Sequence, residues 1–95
     1  MTTLLIHHRV LDYDAWKRVY DSVADMQREG GVRSHRVWRD EDDPNRLVVE
    51  HTFDSREAAE TFVNSPRLRE AMGRAGVDES SLQIEHLDEA ASGKF

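Results

Sequence analysis

The stretch Leu47-Val-Val-Glu-His-Thr-Phe-Asp-Ser-Arg-Glu-Ala-Ala-Glu-Thr-Phe-Val-Asn-Ser-Pro-Arg-Leu68 decides the fold. Its first part alternates: Leu47, Val49, His51 and Phe53 fall on one side, Val48, Glu50 and Thr52 on the other. A period of two is the signature of a strand with unequal faces. At Asp54 the period changes. Ala58, Ala59, Phe62 and Val63 recur at helical spacing. Asp54, with Glu57 three residues on, reads as a capping box. Ser65-Pro66 then restarts the chain, serine as N-cap and proline at the first helical position. A strand that runs straight into a broken helix is half of a β-α-β unit.

Working outward, Asp40-Glu41-Asp42-Asp43-Pro44-Asn45 is a solvated turn, and Val32 to Arg39 before it is a strand whose poor alternation suits an edge. Leu4 to Val10 is the first strand, with Leu4, Ile6, His8 and Val10 in one phase and Leu5, His7 and Arg9 in the other. Asp12 is an N-cap. Trp16, Val19, Tyr20, Val23 and Met26 follow at helical spacing until Gly30-Gly31. This predicts one helix of roughly four or five turns. Downstream, Leu68, Ala71 and Met72 bury a short helix that Gly73 and Gly76 end, and Leu82 to Leu87 is the last strand. The order β-α-β-β-α-β predicts an α+β, ferredoxin-like protomer: an antiparallel sheet with helices on one face. The first and third strands are expected to be central and parallel. Residues 1–95 read as one domain, with 88–95 a mobile polar tail.

One sheet face collects Leu4, Ile6, Val10, Leu47, Val49, Phe53, Leu82 and Ile84, and is assigned to the helices. The other collects Leu5, His7, Arg9, His35, Val37, Val48, Glu50, Thr52, Glu85 and Leu87. This second face is neither wet nor dry. It predicts a homodimer packed sheet on sheet, with Arg9 or His7 paired to Glu50. The alternative is a monomer with a half-polar open sheet.

Composition narrows the function. There are 95 residues, 34% of them charged, with a formal net charge of −6 and no cysteine. Without cysteine there is no disulfide, thiolate metal site or thiol nucleophile. An acidic chain repels phosphate backbones, so no nucleic acid is expected as partner. No apolar run approaches the ~20 residues of a membrane span, and no leader is evident, so the chain is expected in the cytoplasm. Phosphate-loop, dinucleotide, nucleophile-elbow and zinc-protease motifs are missing, and no cofactor is implied.

Two histidines stand out. His8 and His51 share phase with the apolar side of their strands, which places two imidazoles in an apolar cleft. Imidazole titrates nearest neutrality and is the natural general base there. Trp16, Tyr20, Trp38, Phe53, Phe62 and Met72 are candidates to line a pocket for a flat aromatic or small hydrophobic ligand. The same residues equally serve as core. His7 and His35 read as interface or surface residues and His86 as a strand-end residue. Two histidines without a third ligand at fixed spacing are a weak signal for a metal site. A metal reading that adds Glu50 suffers because Glu50 points away from its neighbour His51.

Leu47 to Leu68 resembles the dimeric α/β-barrel superfamily, and more narrowly its antibiotic biosynthesis monooxygenase-like branch. Asp12-Tyr-Asp-Ala-Trp-Lys17 and Asp43-Pro-Asn-Arg46 look like a small bacterial subgroup of it. The resemblance runs from about Leu4 to Leu87. It implies a homodimer whose two sheets form a barrel, with a ligand cleft between sheet and helices in each subunit. It also implies relatives that are cofactor-independent monooxygenases of aromatic polyketides, polyketide cyclases or haem-degrading enzymes. Many monooxygenase-like sequences carry a histidine where Phe62 stands here. The haem-degrading group has a histidine ligand in the stretch that here runs from Arg67 to Met72 without one. The expected activity is therefore a cofactor-independent monooxygenase or cyclase acting on an aromatic substrate. The alternatives are a dimer that only sequesters its ligand, and a His-metal enzyme.

Overall fold

The computed structural model describes all 95 residues. The elements in order are β1 (Thr2–Val10), α1 (Tyr13–Ser22), α2 (Ala24–Glu29), β2 (Ser34–Arg39), β3 (Arg46–Phe53), α3 (Arg56–Val63), α4 (Pro66–Arg74) and β4 (Val77–Leu87). The sheet order is β2-β3-β1-β4, and every neighbouring pair is antiparallel. The ferredoxin-like α+β expectation holds. The expectation that the two central strands are parallel does not. Each helical crossover skips one position in the sheet, so β1 is parallel to β2 and β3 to β4, and neither partner is adjacent. The β2–β3 hairpin reverses the chain between them. In the resulting register Leu4 lies opposite His51, and His8 opposite Leu47.

The local signals mostly act where the chemistry requires. The Asp12 carboxylate accepts from the Ala15 amide at 2.9 Å and starts α1. The single long helix expected to follow is broken at Val23, which leaves helical geometry and separates α1 from α2. The second crossover is capped by Ser55, whose hydroxyl accepts from the Ala58 amide at 3.1 Å. Asp54, the predicted cap, instead holds the Arg33 guanidinium at 2.7 Å. Pro66 opens α4 as expected, Gly73 lies inside it, and Gly76 turns the chain with φ 77°. The last strand begins at Val77 rather than Leu82, because a register shift opposite His7 and Arg9 lets it continue. The amide of Arg9, displaced from the ladder there, donates to the Ser81 hydroxyl at 2.8 Å.

The core sits between the sheet and the helices. Leu4, Leu47 and Phe53 are almost wholly removed from water, with Trp16, Ala59 and Phe62 packed over them. Each such large side chain contributes about 1.5–3 kcal/mol by burial. Gly30 is required by packing: a Cβ there would lie 2.7 Å from the Phe62 ring.

The two faces differ from expectation only in β2. His35 is opposite His51 and Val37 opposite Val49, so both lie on the helix side, while Trp38 is opposite Val48 on the outer side. Trp38 is 50% exposed, with the Arg36 guanidinium 5.4 Å from its ring centre. The predicted pairing to Glu50 is also replaced. His7 meets Glu85 at 2.6 Å, Arg9 pairs with Asp43, and Glu50 accepts from the Trp38 indole at 3.4 Å. Residues 88–95 form no regular structure and are exposed. No helix is long and apolar enough to cross a membrane.

Candidate functional site

A cleft opens between the sheet and the helices. Ile6, His8, Val49 and His51 of β1 and β3 form its floor, and Trp16 and Tyr20 of α1 stand over them. Val23 and Gln27 close one side, and Leu68, Ala71, Met72 and Ala75 the other. The cleft is half open: the space within it that a water-sized molecule can occupy is about 50 Å³, and the volume between its walls, open mouth included, is about 440 Å³. The volume between the walls falls within the ~300–1,000 Å³ of sites that hold small organic molecules, and its narrow interior has room for water.

Four rings run in a row along the cleft. His8 lies 5.8 Å from Trp16, Trp16 stacks on Tyr20 at 4.8 Å, and Tyr20 lies 6.2 Å from His51. Because β1 and β3 are antiparallel, His8 and His51 are four residues apart along the sheet, roughly 13 Å. They stand at the two ends of the cleft, not side by side as a parallel pairing would place them.

The two imidazoles share one electrostatic condition. His8 is 5% exposed and His51 2%. Burial pushes each pKa down to about 4. Like charge from His7 and His35 respectively adds to the fall. Both rings are neutral at pH 7. In each, Nδ1 is buried without a partner. The difference lies at the other nitrogen: His51 Nε2 is 3.1 Å from the Tyr20 hydroxyl. That hydroxyl is also 3.0 Å from His35 Nδ1. Burial raises the Tyr20 pKa to about 12, with the Gln27 amide partly offsetting it. A phenol carries one proton, so Tyr20 donates to one imidazole and accepts from the other.

Of the predicted ligand-binding residues, Trp16, Tyr20 and Met72 line the cleft. Phe53 and Phe62 lie against the edge of His51, at 6.4 and 5.5 Å, but belong to the core beneath α3. Trp38 is on the opposite face of the sheet. His35 and Gln27 are additions that pattern reading missed. His35 needed the correct phase for β2. Gln27 is a polar residue buried at a helical position in step with Tyr20 and Val23, a signal present in the sequence. No three His, Cys, Asp or Glu side chains cluster as metal ligands. Glu50 faces away from both cleft histidines, so that predicted ligand set does not assemble.

The profile of the antibiotic biosynthesis monooxygenases matches residues 13–74. No curated protein sequence gives a match. Among solved structures, a Bordetella bronchiseptica protein named for the antibiotic biosynthesis monooxygenases superposes with TM-score 0.81 at 11% identity, covering 95% of this chain and 97% of that one. A Deinococcus radiodurans protein of the same description gives TM-score 0.74 at 16% identity, covering 100% and 98%. SnoaB, a cofactor-independent oxygenase from Streptomyces nogalater, gives TM-score 0.70 at 16% identity, covering 98% and 94%. At these identities the likeness is one of fold.

Proposed function

This chain belongs to the antibiotic biosynthesis monooxygenase family, and from that premise we propose that its cleft binds a small aromatic molecule and takes a proton from it. The observation that carries this is the pair of buried, neutral imidazoles with a free ring nitrogen each, His8 and His51, in an otherwise apolar cleft. Trp16, Tyr20 and Met72 hold the flat ligand and exclude water.

The substrate is an aryl ketone with an activated methylene. Imidazoles held near pKa 4 are weak bases, so the C–H must be acidified by conjugation. The carbanion left behind transfers an electron to dioxygen and then bonds to it. Loss of water turns the CH₂ into C=O. One oxygen atom enters the product, and the other leaves as water with the two hydrogens. Dioxygen is the oxidant, and no cofactor enters the balance.

Anthrone in an oxygen electrode tests this reading. Uptake above the buffer rate that disappears in the His8→Ala, His51→Ala double variant supports it; uptake that survives the double substitution removes the imidazoles from the reaction. The low basicity of both rings favours a second reading, in which the cleft sequesters its ligand unchanged. Anthrone that binds and is recovered intact selects that one.

We also propose that the outer sheet face pairs two copies of the chain, with Leu5, Val48, the half-exposed Trp38 and Leu87 meeting across the axis. Native mass spectrometry is expected to give a dimer that Trp38→Asp converts to monomer. A wild-type monomer defeats the pairing.

A further inference from the structure

A base buried in an apolar cleft can take one proton and then must lose it. Imidazolium is costly at His51, 2% exposed, with no carboxylate bonded to it. The molecule contains a route out. His35 sits directly opposite His51 in the β2–β3 register, and the Tyr20 hydroxyl bridges the two rings at 3.1 and 3.0 Å. His35 belongs to the edge strand and is exposed. It also lines an open recess of about 300 Å³ with Gln27, Arg28, Arg33 and Ser34. Arg28 and Arg33 are already paired with Asp25 and Asp54, which leaves His35 Nε2 as a proton donor to water there.

We propose that His51, Tyr20 and His35 form a proton relay that carries a proton from the cleft to solvent, with Tyr20 as the relay group and His35 as the exit. The proposal rests on the proton-removal reading of the cleft and adds to it where the proton goes.

The direction follows from the free nitrogen. His51 Nδ1 has no protein partner. An orphaned lone pair there is ready to accept, whereas an orphaned N–H would be a buried donor with nothing to donate to. The resting tautomers are therefore Nε2–H at His51, donating to the Tyr20 oxygen, and Tyr20 O–H donating to His35 Nδ1. Deprotonation moves each proton one place. The substrate proton goes to His51 Nδ1, the Nε2 proton to the Tyr20 oxygen, the Tyr20 proton to His35 Nδ1, and the His35 Nε2 proton to water. No positive charge remains on His51, and the negative charge left on the substrate passes to dioxygen. The reverse movement later brings a proton from water through His35, Tyr20 and His51 to the peroxide, which lets water leave and restores the resting tautomers. His8, with no such chain, stays outside the relay. Tyr20 and His35 act through His51 and are positioning residues rather than catalytic ones.

The test is imidazole ¹⁵N NMR of the wild type and Tyr20→Phe, which keeps the ring stack, with oxygen uptake measured beside it. The relay requires His51 as the Nε2–H tautomer, a His35 Nδ1 shift that moves in Tyr20→Phe, and slower solvent exchange of the His51 proton in that variant. His51 found as Nδ1–H, or exchange unaltered in Tyr20→Phe, overturns it. In turnover, Tyr20→Phe is expected to lower kcat by about 10²-fold with little change in KM. His35→Ala is expected to lose rate that free imidazole in the buffer restores, because the recess is open. Loss without rescue removes His35 as the exit. If wild-type protein consumes no oxygen with anthrone, the oxygenase reading falls, and the tautomers and exchange rates alone decide the relay.

Discussion

His7 and His8 are consecutive, yet the pleat sends them to opposite sides of the sheet. On the outer face His7 is partly exposed and meets the Glu85 carboxylate at 2.6 Å. On the inner face His8 is buried, its Nδ1 has no partner, and its pKa is pushed down to about 4. The lesson is that strand phase alone assigns one imidazole to water and the next to hydrocarbon. In the single chain the outer face tolerates charge because water and the Glu85 carboxylate share it. The inner face suppresses charge because nothing there compensates.

Acid is the most severe test of that contrast. In the unfolded chain the rings of His8 and His51 titrate near 6.5, and in the fold near 4. Between those values the unfolded chain holds protons the native state refuses, so stability rises with pH there. It is fully present above about 6.5 and lost as pH falls towards 4. At full protonation the loss is roughly 3 kcal/mol per histidine, against a total of ~5–15 for a typical domain. Thermal melts from pH 7 to 4 are expected to fall steeply, and His8→Leu to remove about half of the histidine part of that slope. An unchanged slope in His8→Leu would mean the inner face already solvates its imidazole.

Next in size is the core beneath. Phe53→Ala is expected to cost about 3–5 kcal/mol in urea unfolding, while Val48→Ala, its half-exposed counterpart on the outer face, stays under ~1 kcal/mol in the monomer. Comparable losses at the two positions would erase the distinction between faces. Smaller again is Tyr20→Phe, which strips His51 of its one partner and should cost about 1 kcal/mol. Smallest is Glu85→Gln on the outer face, expected at ~0–1 kcal/mol in the monomer and fading with added salt. A larger, salt-resistant loss there would mean that the His7–Glu85 pair is shielded from water.

Much of this was legible in the sequence. The alternation of Leu47 to Phe53, the Asp12 cap, the Ser65-Pro66 restart and the stops at Gly30-Gly31 and Gly76 carry element type and order, because each is a local constraint. Whether β1 and β3 run parallel is not local. It follows from how many strand positions each crossover skips, and the wrong orientation brought His8 and His51 together when they stand at opposite ends of the cleft. The phase of β2 was equally hidden. That edge strand lacks a clean apolar alternation, and a one-residue shift exchanges its faces. The shift moved Trp38 out of the predicted pocket and brought His35 to the helix side. The helix break at Val23 has no glycine or proline to announce it. The His35–Tyr20–His51 contact needs the β2 phase, the β2–β3 register and the placement of α1 all at once.

The strand order has a consequence in time. β1 is made first, yet both its neighbours, β3 and β4, are made later, and β4 is complete only at Leu87. At ~5–20 residues per second of synthesis, the nascent chain carries Leu4, Ile6 and Val10 without lasting partners for seconds. The hairpin of β2 and β3 can close early, but the sheet is sealed by the last strand to arrive. Pausing the ribosome between Val10 and Val77 should cost soluble yield and leave the finished protein's melting temperature untouched.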